Sequence, residues 1–366
     1  MLSTADEYPI HQVAETIRNV GTSDRNFYDR YYFNLHGSSD ELFMVMGLGQ
    51  YPNLGVQDAF ACVRRGSRHR VVRASRELDD RMDTSVGPFR VEVLKPLEEI
   101  RFVLDETEHG LACDLHWRGV IPAFEEPRHY IRKHGRVLFD TLRFAQTGCW
   151  SGELRVGDER FEVTPDRWWG TRDRSWGVRP VGEAEHPGIR QGEGQMTGMW
   201  NYSPMQFEDH SILYILNETN EGERLIEEAV RIWNDRGREP EWLGRPEFEH
   251  ALVPGTRIVE KSKIAFPEAA GGGFEVSASP LTHAFIAVGT GYGMDPDWRH
   301  GMYQGPLVVQ GLDLDHEEVG KIGQYGVVDH VACFEYDGNV GFGLHEQAFI
   351  GAFEKVGLKD PASGAE

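Results

Sequence analysis

Long apolar runs are missing from this sequence. No segment approaches the ~20 consecutive apolar residues that a membrane-spanning helix requires, although hydrophobic residues make up 40% of the chain. Cysteine is scarce. The four residues Cys62, Cys113, Cys149 and Cys333 are scattered, with no C-x-x-C pair. That spacing favours reduced thiols over a disulfide framework. Basic charge is also short, with 38 Lys and Arg against 59 Asp and Glu and a formal net charge of −21. Such a balance opposes nucleic acid, whose phosphates select a basic face, and opposes simple attraction to an anionic membrane surface. The opening MLSTADEYPIHQ has neither a basic start nor an apolar centre, so it does not read as a secretory leader and a cytoplasmic protein is expected. There is no H-E-x-x-H, phosphate loop, dinucleotide fingerprint or G-x-S-x-G elbow. No metal and no cofactor are therefore expected.

Helical periodicity is nearly absent too. Short helices are expected only at 12–19 and 345–355. A period of two dominates instead, which means strands with one buried face. In LACDLHWR (111–118), Leu111, Cys113, Leu115 and Trp117 alternate with Ala112, Asp114, His116 and Arg118. IRFVLD (100–105) precedes it across an EHG turn. Similar pairs flank Gly157-Asp158, the NEG at 220–222, and Asp337-Gly338, a strong hairpin signal. Many short strands joined by glycine-rich turns argue an all-β sandwich or barrel. The 366 residues suit about two domains. The polar, glycine-rich VGEAEHPGIRQGEGQM (181–196) suggests a division into 1–182 and 183–366, with the aromatic cluster Phe27, Tyr28, Tyr31, Tyr32 and Phe33 packed on the first domain.

One stretch is chemically unlike the rest. DRWWGTRDRSWGVRP (166–180) holds three tryptophans, four arginines and two aspartates, with glycine after Trp169 and Trp176. Glycine opens backbone angles closed to other residues, tryptophan brings a large apolar body with one N–H to satisfy, and arginine offers a rigid fork of donors. The stretch is read as an ordered, partly buried loop.

WWGTRDRSWG (168–177) resembles the W-x-D-H-x-W-G motif of the lipocalin-like AttH and carotenoid 1,2-hydratase (hydroxyneurosporene synthase) superfamily. MWNYSPMQFEDHSILYIL (199–216) is similar to its second element, W-D-W-x-x-x-Q-x-x-D-G, with Trp200, Tyr202, Gln206 and Asp209 in the matching places. The resemblance implies two tandem lipocalin-like (calycin-type) β-barrel domains packed side by side, with a cavity for an apolar small molecule. Members of the superfamily hydrate isolated double bonds, and related tandem folds act as cyclases or pericyclases. The sequence departs from the motif in two places. Asp173-Arg174 replaces Asp-His, and arginine does not exchange protons near neutrality as histidine does. Asn201 and Tyr202 stand where Asp-Trp is usual.

Hydrating or rearranging an alkene without a cofactor needs a protonated acid in an apolar pocket, aromatic faces to steady a cation, and a base. Asp173 is the leading carboxylate and Glu346 the second. The adjacent arginines should keep Asp173 charged, which suits a base or a structural ion pair better than a proton donor. Trp169, Trp176, Arg172, Arg174, Trp200, Tyr202, Gln206, His116 and Tyr303 are the candidate binding residues. Packing at the interface between barrels is the first reading of Trp168, Trp169 and Trp176, and an exposed strand position the first reading of His116. The expected function is a cofactor-independent lyase, hydratase or isomerase acting on a terpenoid- or polyene-like molecule. The alternative is a carrier or sensor of such a ligand. The implied partners are a hydrophobic small molecule and, at most, a second copy in a homodimer.

Overall fold

The computed structural model describes residues 7–9, 14, 16, 18–133, 135–185 and 198–365. The hairpins read from the sequence form as expected. Glu99–Leu104 pairs with Leu111–Gly119, Arg136–Val156 with Glu159–Val163, and His210–Glu218 with Arg224–Trp233. Between Val328–Tyr336 and Asn339–Ile350, Asp337 and Gly338 both take positive φ, 47° and 81°. That is the geometry of a two-residue turn matched to strand twist.

These strands assemble into a 14-stranded sheet that closes almost to a barrel and a nine-stranded half-barrel. At the centre of the first run Leu42–Tyr51, Phe27–His36, Trp169–Val178 and Arg136–Val156, side by side. At the centre of the second run His210–Glu218, Gly198–Gln206, Asn339–Ile350 and Val328–Tyr336. The late strand Leu307–Asp315 pairs with Arg68–Glu77 and so extends the first sheet. The fold is an all-β, tandem lipocalin-type double barrel.

The three largest apolar cores follow from the alternation of side chains. One fills the first barrel, with Phe33, Met46, Phe102, Trp117 and Trp150. One fills the second, with Met205, Tyr214, Ile264, Phe334 and Phe349. The third lies between the sheets, where Tyr32, Phe43, Val45 and Phe60 meet Tyr202, Leu213, Ile215 and Leu344. The central strands are therefore buried on both faces, and all ten residues of Phe27–His36 are buried.

The stretch 166–180 is not a loop. Trp169–Val178 is a ten-residue strand between Phe27–His36 and Arg136–Val156, with Asp173 opposite Tyr32 on one side and Ala145 on the other. Charged residues on both faces hid its period of two, because each face meets its own polar surroundings. Its glycines serve close packing rather than a turn. A Cβ on Gly170 would lie 2.0 Å from the Asn34 carbonyl oxygen, and Gly177 holds φ at +127°. Gly170→Ala is expected to destabilise the protein by about 1–3 kcal/mol through overpacking, read as a lowered urea midpoint with unchanged slope.

The expected helix at 345–355 is also corrected. The chain stays extended to Ile350 and then makes only a short 3-10 turn, Glu354–Val356. Here the period is two: His345 meets Phe334 of the second barrel's core while Glu346 faces the cavity between the sheets. A helix not read from the sequence spans His316–Gly323, with the Asp315 carboxylate accepting from the amides of Glu317 and Glu318. Of the expected helix at 12–19, residues 12, 13, 15 and 17 lie outside the described residues and 14, 16, 18 and 19 are not helical; the segment 181–196 lies outside them from residue 186 onward.

Candidate functional site

A cavity of about 550 Å³ opens between the two sheets. Its wall is built from alternate residues of the central strands, those that face away from the barrel interiors. Phe27–His36 contributes Tyr28, Arg30 and Tyr32, and Trp169–Val178 contributes Asp173 and Ser175. Arg143 comes from the long strand Arg136–Val156, Trp200 and Tyr202 from Gly198–Gln206, and Glu346 from Asn339–Ile350. Aliphatic wall is supplied by Ile215, Ile226 and Ile350.

The strand geometry separates Asp173 from the arginines beside it in sequence. Arg172 and Arg174 point the other way, into the first barrel. There Arg172 Nη1 donates to Glu7 Oε1 at 2.7 Å, and Arg174 pairs with Asp29. Asp173 is left facing the cavity, where burial pushes its carboxyl up to about 7. Arg143 opposes that rise, and the carboxylates of Glu126 and Glu346 add to it. Desolvation disfavours the charged form of an acid, and like charges reinforce the effect.

Register brings a further acid up behind the same wall, beside Glu346. Asp329 lies opposite Glu346 across the Val328–Tyr336 and Asn339–Ile350 pair. Burial and Glu346 push the Asp329 carboxyl well above the usual carboxylate range. The Tyr32 hydroxyl donates to Asp329 Oδ2 at 2.5 Å, and the Trp200 indole N–H donates to Glu346 Oε1. Glu126 is bonded by Arg143 Nε at 2.5 Å. The Arg143 guanidinium sits 4.3 Å from the Tyr202 ring centroid and 5.3 Å from that of Trp200, while the His129 ring stacks on Trp200. The site thus combines carboxyls biased toward protonation with aromatic faces.

Of the residues named from sequence, the structure gathers Asp173, Glu346, Trp200 and Tyr202 around the cavity. Arg172 and Arg174 lie inside the first barrel. Trp169 packs on Phe342 and Trp176 on Phe144, and Gln206 is buried at the end of its strand. His116 stands on the outer face of the first sheet with its side chain 51% exposed. Tyr303 is on the surface, where its hydroxyl donates to Glu77. Sequence reading missed Glu126, Arg143 and Asp329. Only Asp329 had a signal, a charged residue at the head of a strand that pairs with the strand of Glu346. Among the described residues no group of three or more His, Cys, Asp or Glu side chains is placed to hold a metal ion. No helix among them is long and apolar enough to cross a membrane.

Two packed lipocalin-type sheets with an intervening cavity define the class: this is an AttH-like double barrel. The chain belongs to a family of unknown function, DUF8625, which matches residues 2–359. A search of curated proteins finds no match. Among solved structures, a protein assigned as AttH from Nitrosomonas europaea is similar with a TM-score of 0.52 and 11% identity, over 93% of this chain and 98% of the other. CghA in complex with Sch210972 is similar with a TM-score of 0.51 and 10% identity, over 94% of this chain and 95% of the other. At such identities the likeness concerns the fold.

Proposed function

We propose that this protein is a cofactor-independent lyase, hydratase or isomerase that protonates a carbon–carbon double bond of a lipophilic, terpenoid- or polyene-like molecule held between the barrels. The observation that carries the reading is Asp173, a cavity-facing carboxyl that keeps its proton to about pH 7. An acid poised near the working pH is suited to general acid catalysis. In the proposed step an Asp173 oxygen gives its proton to one alkene carbon, the π pair forms the new C–H bond, and positive charge develops on the adjacent carbon. Trp200 and Tyr202 present faces that attract such a cation, and in this reading Glu346, which lines the same cavity, takes a proton from it or from attacking water. Addition of water gives a hydratase; loss of a neighbouring proton gives an isomerase. That CghA, of similar fold, is seen with Sch210972 supports a ligand-binding role for such a double barrel. A carrier is the second reading. It is favoured by the Trp200 indole bond, which occupies one oxygen of Glu346.

The test is turnover in oxygen-18 water with a panel of acyclic and cyclic terpenoids and polyenes, using wild type and Glu346→Gln, with products read by mass spectrometry. The expected result is a hydrated product carrying heavy oxygen or a rearranged product without it, slowed in the variant by about 10²-fold if Glu346 is the base. Ligand recovered unchanged from the wild type across the panel would establish the carrier instead.

A further inference from the structure

We infer that the cavity takes an amphipathic ligand with a single anionic head group, a carboxylate or acidic enol, seated on Arg179. This rests on the reading of the cavity as a binding site for a lipophilic molecule and specifies the other end of that molecule. Three arginines line the cavity: Arg30, Arg143 and Arg179. Two are already matched. Arg30 Nη1 bonds Asp58 Oδ1 at 2.9 Å, and Arg143 bonds Glu126. Arg179 has no carboxylate within ion-pair distance among the described residues. Its Nε is buried without a hydrogen-bond partner.

Among the described residues the one side-chain hydrogen-bond partner of Arg179 is neutral. His300 Nε2 lies 3.1 Å from the Thr290 carbonyl oxygen, to which it can only donate. Nδ1 is then the lone-pair nitrogen, and it accepts from Arg179 Nη2 at 3.3 Å. Burial and the two arginines Arg30 and Arg179 hold His300 in that neutral form, well below the usual histidine range. The guanidinium is fixed further by the rings of Tyr28, 4.5 Å away, and Tyr292, 5.7 Å away. The result is a preorganised cation with donors to spare in a wall that also carries Ile215, Ile226 and Ile350. Arg179 is partly buried, with its Nε out of solvent; an unmatched donor in such a place gains from an acceptor, and a planar guanidinium favours a carboxylate-like anion.

The same contact bears on catalysis. Asp173 is faced by Arg143, Glu126, Glu346 and Arg179, and it in turn acts on Tyr202, Tyr292 and Asp329. Arg179 pulls the Asp173 carboxyl toward ionisation. An anion seated on Arg179 cancels that pull, so the ligand itself keeps the acid protonated.

Farnesoic acid and methyl farnesoate separate the head group from the chain. By titration calorimetry at pH 8 the acid should bind wild type about tenfold or more tighter than the ester. Arg179→Gln should bring the two affinities together by weakening only the acid, and Arg179→Lys should restore part of the preference. Equal affinities in wild type, or a preference that survives in a folded Arg179→Gln, would overturn the inference while leaving an apolar-ligand cavity intact. Binding of neither compound to wild type would overturn the inference and the apolar-ligand reading together. Because no turnover is needed, a carrier would give the same binding result as an enzyme.

Discussion

Replacing Asp173 by asparagine is expected to cost at least about a hundredfold in turnover, within the range for losing a general acid, and to leave the fold as stable or more stable at pH 8. The two halves of that expectation share one cause. Burial raises the Asp173 carboxyl from 3.8 to about 7 in the folded protein. The folded state therefore binds this proton more tightly than the unfolded chain. Stability from this group is full below pH ~4, falls as pH rises toward 7, and stays low above it. A tenfold difference in proton affinity is worth about 1.4 kcal/mol, so the loss at pH 8 is at most on the order of 4 kcal/mol and is reduced by relaxation around the charge. Asparagine has the same shape and no proton to lose, so it removes that limb. Melting temperatures of both proteins from pH 4.5 to 8, under one buffer ionic strength, should converge at the acid end and separate in favour of the variant at pH 8. A variant that melts well below wild type at pH 8 would mean that the ionised carboxylate is held by a stabilising pair. Unchanged turnover in a folded variant would move the acid to Asp329 or Glu346. The carboxyls of Glu126 and Asp329 are also raised by burial, so the difference between the two proteins, rather than either profile alone, reports Asp173.

The strands and hairpins were legible because their signals are local. Asp337-Gly338 specifies a two-residue turn whatever lies around it, and the alternation at 111–118 marks a strand with one exposed face. The central strands were harder to read. Phe27–His36 and Trp169–Val178 are each covered on both sides, so neither face is plainly polar. The sequence RDR suggested a carboxylate neutralised by its neighbours. In a strand those neighbours point to the opposite face, and the electrostatic conclusion reverses. The acids beyond Asp173 and Glu346 were hard to place for a related reason, although Asp329 carried a weak signal at the head of its strand. Asp329 reaches Glu346, and Tyr32 reaches Asp173, only through strand register. Glu126 comes to the cavity from a short connecting segment. His116 was marked by a real alternation, but the polar face it shares is the outside of the barrel.

The opposite face of the same strand leads to the largest expected effect on stability. Arg172→Met should destabilise the protein by about 3–5 kcal/mol, because it strands a buried carboxylate. Arg172 and Glu7 form an ion pair in which both side chains are fully buried. Arg172 Nε also bonds Gln146 Oε1 at 2.9 Å, and Glu7 Oε2 accepts from the Leu97 amide at 2.8 Å. The Glu7 carbonyl accepts from Tyr31 and, at 3.3 Å, from Arg174 Nε. Residue 7 is thus fastened inside the first barrel by two arginines that the sequence places beside Asp173. Once Arg172 is gone, the Glu7 carboxylate keeps one amide and loses its counter-charge. Neutralising it as well, in Glu7→Gln with Arg172→Met, should recover part of the loss, leaving a coupling of about 1–3 kcal/mol in the double-mutant cycle. Urea midpoints for the four proteins measure it. A single variant within about 0.5 kcal/mol of wild type would sit with ordinary surface substitutions and would refute a buried pair. Farnesoic acid should still bind the folded fraction of Arg172→Met with wild-type affinity, since Arg172 and the cavity lie on opposite faces of the sheet. Stability and chemistry would then separate along one strand, residue by residue: even positions 172 and 174 hold the barrel together, and odd positions 173 and 175 face the ligand.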